Sequence, residues 1–114
     1  MINYTTYNHA EFPDVLVVEA GGKLDSHSSQ FLLDCIQGIV EHGNKKVLLD
    51  CEDLDLINSM GLATLVRANS RLKKLGGSLA IANAHGVVAD VLKVVHFDRL
   101  FGLYSSVDEA ASAI

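Results

Sequence analysis

Between Lys46 and Ala82 the apolar pattern changes period twice, and this constrains the fold more than any other feature of the chain. Lys46-Val47-Leu48-Leu49-Asp50 is a short, continuous apolar run, the mark of a strand buried on both faces. Leu62, Leu65, Val66, Leu72 and Leu75 then recur at helical spacing as a buried stripe. Asn69 is its polar exception, and Gly76-Gly77 ends it. Ser78-Leu79-Ala80-Ile81-Ala82 returns to a strand pattern. Two buried strands joined through a helix are parallel neighbours in a sheet covered by helices.

The alternation continues in both directions. Ile2 to Tyr7 alternates and is rich in Tyr and Thr, as an edge strand should be. Pro13-Asp14 marks a turn before a second strand, Val15-Leu16-Val17-Val18-Glu19-Ala20. Gly21-Gly22 interrupts that strand before Lys23-Leu24, which predicts a bulge or bend. No third glycine completes a dinucleotide-binding fingerprint there. Ser28, Phe31, Leu32, Cys35, Ile36, Ile39 and Val40 share one face of a helix, with Asp25 and Ser26 as N-cap chemistry and Gly43 as its stop. Gly86 to Val95 predicts a further helix with Val87, Val88, Val91, Leu92 and Val95 apolar, and Leu100 to Tyr104 a short strand. Ser106-Val107-Asp108-Glu109 opens a last helix with a hydroxyl cap and acids in its first turn. The predicted fold is a single α/β domain over residues 1–114 in the order β-β-α-β-α-β-α-β-α, with a mixed, mostly parallel five-stranded sheet and about four helices.

Composition removes several function classes. Nine basic and fourteen acidic side chains give a net charge of -5, and Lys45-Lys46 and Lys73-Lys74 are only pairs, so direct nucleic-acid binding is not expected. No apolar run approaches the roughly 20 residues of a membrane span, and Met1 to Thr6 lacks the basic and apolar regions of a signal peptide. Cys35 and Cys51 read as small buried thiols of a reducing, cytoplasmic compartment. His9, His27, His42, His85 and His96 lack zinc-site spacing. No Ser-His-Asp elbow, metal cluster or nucleotide loop is present, so no catalytic residue, metal or cofactor is assigned.

The candidate site lies where strands hand over to helices. In alternating α/β folds, sites collect beyond the carboxyl ends of the parallel strands. Gly22 to Ser26, Asp53 to Ser59 and Asn83-Ala84-His85 are expected to arrive there together, with Asp25 and Ser59 on neighbouring loops. Either Asn58 or Ser59 can cap the following helix. Gly61 is expected to leave the first turn uncovered, so that a partner or a phosphate can approach the backbone. A phosphate on Ser59 would add about -1.5 to -2 charges beside Asp25.

Several stretches in sequence order resemble a known family. Gly22-Lys23-Leu24-Asp25, Val47-Leu48-Leu49-Asp50 with Leu54, Ile57-Asn58-Ser59-Met60-Gly61-Leu62, Gly76-Gly77-Ser78-Leu79 and Val107-Asp108-Glu109-Ala110 are similar to the signatures of STAS domains of the anti-sigma factor antagonist group. The resemblance covers essentially the whole chain. It implies a STAS-like fold and a partner switch: the antagonist binds an anti-sigma factor of the serine-kinase type, the kinase phosphorylates it, and a phosphoserine phosphatase restores it. The phospho-acceptor maps onto Ser59 and the neighbouring acid onto Asp25. The expected switch surface is Asp25, Ser26, Asn58, Ser59, Met60, Gly61 and Leu62. Asn58 replaces the family's usual Asp, and Met60 its usual small residue.

The resemblance also leaves an alternative, a non-phosphorylated STAS subunit of a membrane lipid or anion transport complex. Asp50 ends a central strand as a receiver's phospho-acceptor does. However, the chain opens with Asn3-Tyr4-Thr5-Thr6-Tyr7 and ends with Tyr104-Ser105-Ser106, without the acidic pair and lysine that receivers share.

Overall fold

The apolar run at 46–50 is the middle of a five-stranded sheet. The structure, a computed structural model, describes residues 2–114. The elements are β1 (Ile2–Asn8), β2 (Val15–Leu24), α1 (Ser29–Glu41), β3 (Lys46–Ile57), α2 (Ser59–Lys74), β4 (Ser78–Ala82), α3 (Gly86–Val94), a 3-10 turn (Phe97–Arg99), β5 (Gly102–Tyr104) and α4 (Val107–Ala113). The strands lie in the order β1-β2-β3-β4-β5; only β1 is antiparallel to its neighbour. Fold class and element order are those predicted.

Two cores sandwich the sheet. Leu16, Val18, Val47, Leu49 and Ile81 point to the face covered by α1, α2 and α3, where they meet Leu32, Ile36, Leu65, Leu72, Val88 and Leu92. Val15, Val17, Leu48, Ala80 and Ala82 point to the other face, against Ala110 and Ala111 of α4. A strand with both faces packed must be apolar throughout, which is why Val47 to Leu49 show no alternation. His9 anchors the loop after β1: its Nδ1 accepts the N–H groups of Glu11 (3.2 Å) and Phe12 (3.3 Å), so Nε2–H donates to Asp108 at 2.8 Å. Cys51 is buried and free, its thiol pushed up to about 12 by burial and then by the Asp50 charge. Cys35 is half-buried, and burial raises its pKa too.

Three expectations change. β3 runs to Ile57 rather than ending near Asp50. Its register with β2 moves from Glu19↔Asp50 to Gly21↔Asp53, and from Gly22↔Leu54 to Lys23↔Leu56. β3 thus holds one extra residue at each shift, so the glycines of β2 mark the bulges although the surplus residues are opposite them. Cys51, Leu54 and Ile57 are consequently buried at intervals of three, a pattern that reads as neither strand nor helix. The helical stripes also turn. Phe31 (63% exposed), Val66, Leu75, Val87 and Val95 face outward, while Leu33, Thr64 and Ala68 are buried; Asn69 is buried on the stripe as expected. On a helix with apolar residues around much of its circumference, the angle of docking chooses the stripe. Finally, β5 is only Gly102–Tyr104, because Phe97 and Phe101 pack ring to ring (5.2 Å) in the tight turn before it.

The handover from α2 to β4 is close-packed. The Gly77 N–H donates to the Leu72 carbonyl at 2.7 Å, and a Cβ on Gly77 would fall 2.0 Å from the Lys45 carbonyl oxygen. Gly77→Ala should therefore destabilise the chain by about 3 kcal/mol, as over-packing against main chain does. Urea unfolding of the two chains measures this, and a variant as stable as wild type would refute it.

Candidate functional site

The last rung between β2 and β3 sets the site. Leu24 pairs with Ile57, placing Asp25 beside Asn58 on strands roughly 4.8 Å apart. The Asn58 N–H donates to the Leu24 carbonyl at 3.1 Å, closing the strand pair. Asn58 is extended (φ -110°, ψ -175°), and its Oδ1 accepts the Gly61 N–H at 3.0 Å, which makes it the N-cap of α2. Of the two possible caps, the one before the serine is used. Ser59 is left as the first helical residue, exposed, and its hydroxyl has no hydrogen-bond partner among the described residues. No acid lies in the first turn of α2, so the positive end of its dipole has no compensating charge on that helix.

Gly61 corrects an expectation. It is buried, not an open approach to the backbone. A Cβ there would stand 2.6 Å from the Leu24 carbonyl oxygen and 2.9 Å from both Leu24 Cγ and Ile57 Cγ1. Glycine lets α2 sit directly on the end of the β2–β3 pair. The outward positions are Ser59 and Met60 (48% exposed), with Leu62 partly covered by core residues. Leu56, 38% exposed, adds apolar surface before the cap. Its exposure is not legible in the sequence, because a strict two-residue alternation does not survive the bulges.

Asp25 is tied to α1. Its Oδ1 accepts the N–H groups of His27 (2.9 Å) and Ser28 (3.1 Å), and its own N–H donates to Ser28 Oγ at 2.9 Å. Ser28 Oγ donates in turn to the Lys23 carbonyl at 2.7 Å. Capping of α1 was expected from Asp25 and Ser26, but the N-cap is Ser28, without a side-chain cap bond; Asp25 instead closes the turn before the helix through the His27 and Ser28 N–H groups, and Ser26 is exposed and outside this network. Desolvation pushes the Asp25 carboxyl up, but the Ser28 and His27 N–H groups and the Ser28 hydroxyl outweigh it and hold the pKa below the ordinary 3.8.

The third expected component stays apart. Asn83 and His85 follow β4, but they face the β3–β5 side. Asn83 Nδ2 donates to Asp50 Oδ1 at 3.0 Å, and His85 Nε2 lies 2.6 Å from the Glu52 carbonyl. With Glu52, Asp53, Ala84 and Ser105 they line a separate cleft of about 570 Å³ that does not include Ser59. Asp50 is buried, and one oxygen is committed to Asn83 and the Glu52 N–H, a structural clamp unlike a receiver's open phospho-acceptor.

This geometry belongs to a class of α/β modules that present an unengaged serine at the start of a helix, without catalytic machinery around it among the described residues. Residues 6–110 match the STAS domain, and the chain belongs to that family. It is 26% identical over 99 residues to BtrV of Bordetella bronchiseptica, provisionally named an anti-sigma factor antagonist, covering 87% of this chain and 85% of that protein. A Thermotoga neapolitana protein with the same provisional designation matches at 28% over 72 residues, so the chain spans 64% of that relative. Among solved structures, an anti-sigma factor antagonist from Mycobacterium paratuberculosis superposes with a TM-score of 0.87 at 22% identity, covering 100% of this chain and 94% of that one. The anti-sigma factor antagonist SpoIIAA in its unphosphorylated form gives 0.74 at 17% identity, covering 97% and 96%. SpoIIAA in its phosphorylated form gives 0.73 at 15%, covering 97% and 98%.

Two predictions test this geometry. Gly61→Ala should cost about 1–3 kcal/mol of unfolding free energy, because the added methyl meets main chain and two packed side chains. A variant unfolding at the wild-type urea midpoint would refute the close approach. Asp25→Ala should lower the melting temperature at neutral pH. Because the folded pKa of Asp25 lies below the unfolded one, its contribution is complete above pH 3.8 and fades as pH falls through the folded value. The melting-temperature gap between the two chains should therefore close in acid, and a gap independent of pH would contradict the assigned hydrogen bonds.

Proposed function

We propose that this chain is an anti-sigma factor antagonist that binds a serine-kinase-type anti-sigma factor through the start of α2 and is switched off by phosphorylation of Ser59. One observation carries the reading. Asn58 does the capping, so the Ser59 hydroxyl is exposed and free to react without costing the helix its cap. The resemblance to a protein solved in both unphosphorylated and phosphorylated forms supports it.

The physical switch is a change in what the surface asks of a partner. Unmodified, the Ser59 region offers a small hydroxyl between the apolar Met60 and Leu56, a surface a partner can desolvate at little cost. A phosphoserine brings about -1.5 to -2 charges and a tightly held hydration shell. The free N–H groups and dipole of α2 tolerate that charge within the antagonist. A partner that had buried Met60 would have to strip water from a dianion, which several kcal/mol of opposing free energy makes unfavourable. Asp25 adds a second negative charge nearby. A cognate phosphatase then resets the surface, and the chain itself performs no chemistry.

Incubation with the cognate kinase and ATP should add one phosphate, at Ser59, and none to Ser59→Ala. Ser59→Asp should weaken the partner complex at least about tenfold, or ~1.4 kcal/mol, in calorimetry. Equal phosphorylation of Ser59→Ala would overturn the site. Indifference of partner binding to both substitutions would favour the constitutive transport-subunit reading.

A further inference from the structure

We propose that α2 is the cationic half of the docking surface and that the partner covers it with an acidic face. The inference rests on the reading of Ser59 as the partner switch, and it names the chemistry of what docks there. α2 holds Arg67, Arg71, Lys73 and Lys74, four of the chain's nine cations, and none of its fourteen acids. On a chain of net charge -5 this helix has the opposite sign. All four side chains are exposed. The two ion pairs among the described residues, His9–Asp108 and Lys46–Asp14, lie elsewhere. The helix dipole accounts for cations in the last turn, at 71, 73 and 74, but not for Arg67 in the middle.

The cations continue the surface that starts at Ser59. Met60, Arg67, Arg71 and Lys74 are spaced by seven, four and three residues, so they fall within about 60° of one another around the helix. Lys73 stands about 130° from the centre of this ridge. Met60, 48% exposed, forms its N-terminal end beside Ser59. On the other side of Ser59 the sign reverses: Asp53 and Asp55 are exposed on the last part of β3. A charge axis thus runs through the site. A partner whose own charges match that axis docks in one orientation, because the reversed pose sets like charges together.

The neighbouring helix leaves the ridge unneutralised. Arg71 Nη1 donates to Gln37 Oε1 of α1 at 2.9 Å, and Gln37 Nε2 donates to Glu41 Oε1 at 3.4 Å. The neutral Gln37 amide therefore stands between the guanidinium and the Glu41 carboxylate. Asp34, also exposed on α1, is engaged by Gln30 Nε2 at 2.9 Å. Arg71 is held in place with its charge uncompensated, which lowers the ordering cost of a new ion pair there.

Distance decides which cation matters most. A standard interface covers about 800 Å² a side, a patch about 30 Å across, and centred on Met60 it reaches about 15 Å along α2. At the helical rise, Arg67 is about 10 Å from Met60, Arg71 about 16 Å and Lys74 about 21 Å. Arg67 is inside the footprint, Arg71 at its rim and Lys74 beyond it.

Calorimetry with the kinase that phosphorylates Ser59, run without ATP, tests this. Arg67→Glu should weaken binding at least about tenfold, while Arg67→Lys stays within about threefold of wild type. Lys73→Glu, the same charge reversal off the ridge, should stay within about twofold. Raising NaCl from about 0.1 M to about 0.5 M should weaken wild type more than Arg67→Glu. The substituted side chains are exposed, so all three variants should melt with wild type, which separates lost docking from lost fold. Wild-type binding by Arg67→Glu, with Ser59→Asp still impaired, overturns the acidic face and leaves the switch standing. Weakened binding by Arg67→Glu, with Ser59→Ala phosphorylated equally, supports the acidic face and overturns the acceptor. A duplex of about 20 base pairs, or phosphatidylserine vesicles, bound by wild type at about 0.15 M salt and not by Arg67→Glu would overturn the proposal in favour of a polyanion surface.

Discussion

The carbonyl of Leu24 joins the sheet to the helix that presents Ser59. It accepts the Asn58 N–H at 3.1 Å, and it occupies the space a Gly61 side chain would need. One main-chain group thus fixes both the direction in which the chain leaves β3 and how closely α2 approaches. If α2 stood farther out, Asn58 would lose that contact, and Leu24 and Ile57 would lose the lid that buries them. The buried glycine is a packing requirement at the base of the site.

The two extra residues in β3 extend this constraint into the sheet. They let β3 follow β2 up to the Leu24–Ile57 rung while β4 ends at Ala82, opposite Asp50. The bulges keep Cys51, Leu54 and Ile57 turned toward the helices while Glu52, Asp53, Asp55 and Leu56 face water. Each added residue re-aims the side chains beyond it, as bulges beside functional sites do. Position along the chain and orientation at the site are therefore set by different features: the rung brings Asp25 beside Asn58, and the bulges decide which neighbours show.

The elements legible in the sequence were those decided by local physics. Continuous apolar runs gave the inner strands, Ser106 gave the cap of α4 through its bond to the Glu109 N–H, and Gly21-Gly22 marked the level of the bulges, although the extra residues lie in β3. What the sequence could not show depended on partners distant along the chain. Gly61 looks like an opening until Leu24 is placed beneath it. Phe31 and Val66 look like core until the docking angles of α1 and α2 turn them out. Asn83 and His85 share the carboxyl end of the sheet with Ser59, yet Asp50 and Glu52 hold them in another cleft. For the candidate site, order and residue types were readable, but which surfaces were inside was not.

Asn58 shows how a neutral residue can suit this position better than it first looks. An N-cap needs an acceptor for the third helical N–H, and amide oxygen and carboxylate both supply one. A carboxylate would also neutralise the positive end of α2. With Asn58 as cap, and with Asp25 engaged by the N–H groups of His27 and Ser28, that end of the helix has no acid in its first turn. A dianion at the first helical position then meets free N–H donors and an uncompensated dipole. The exchange of Asp for Asn therefore keeps the cap and lowers the electrostatic cost of charge at Ser59, so the departure from the family's usual pattern works with a phosphoserine there.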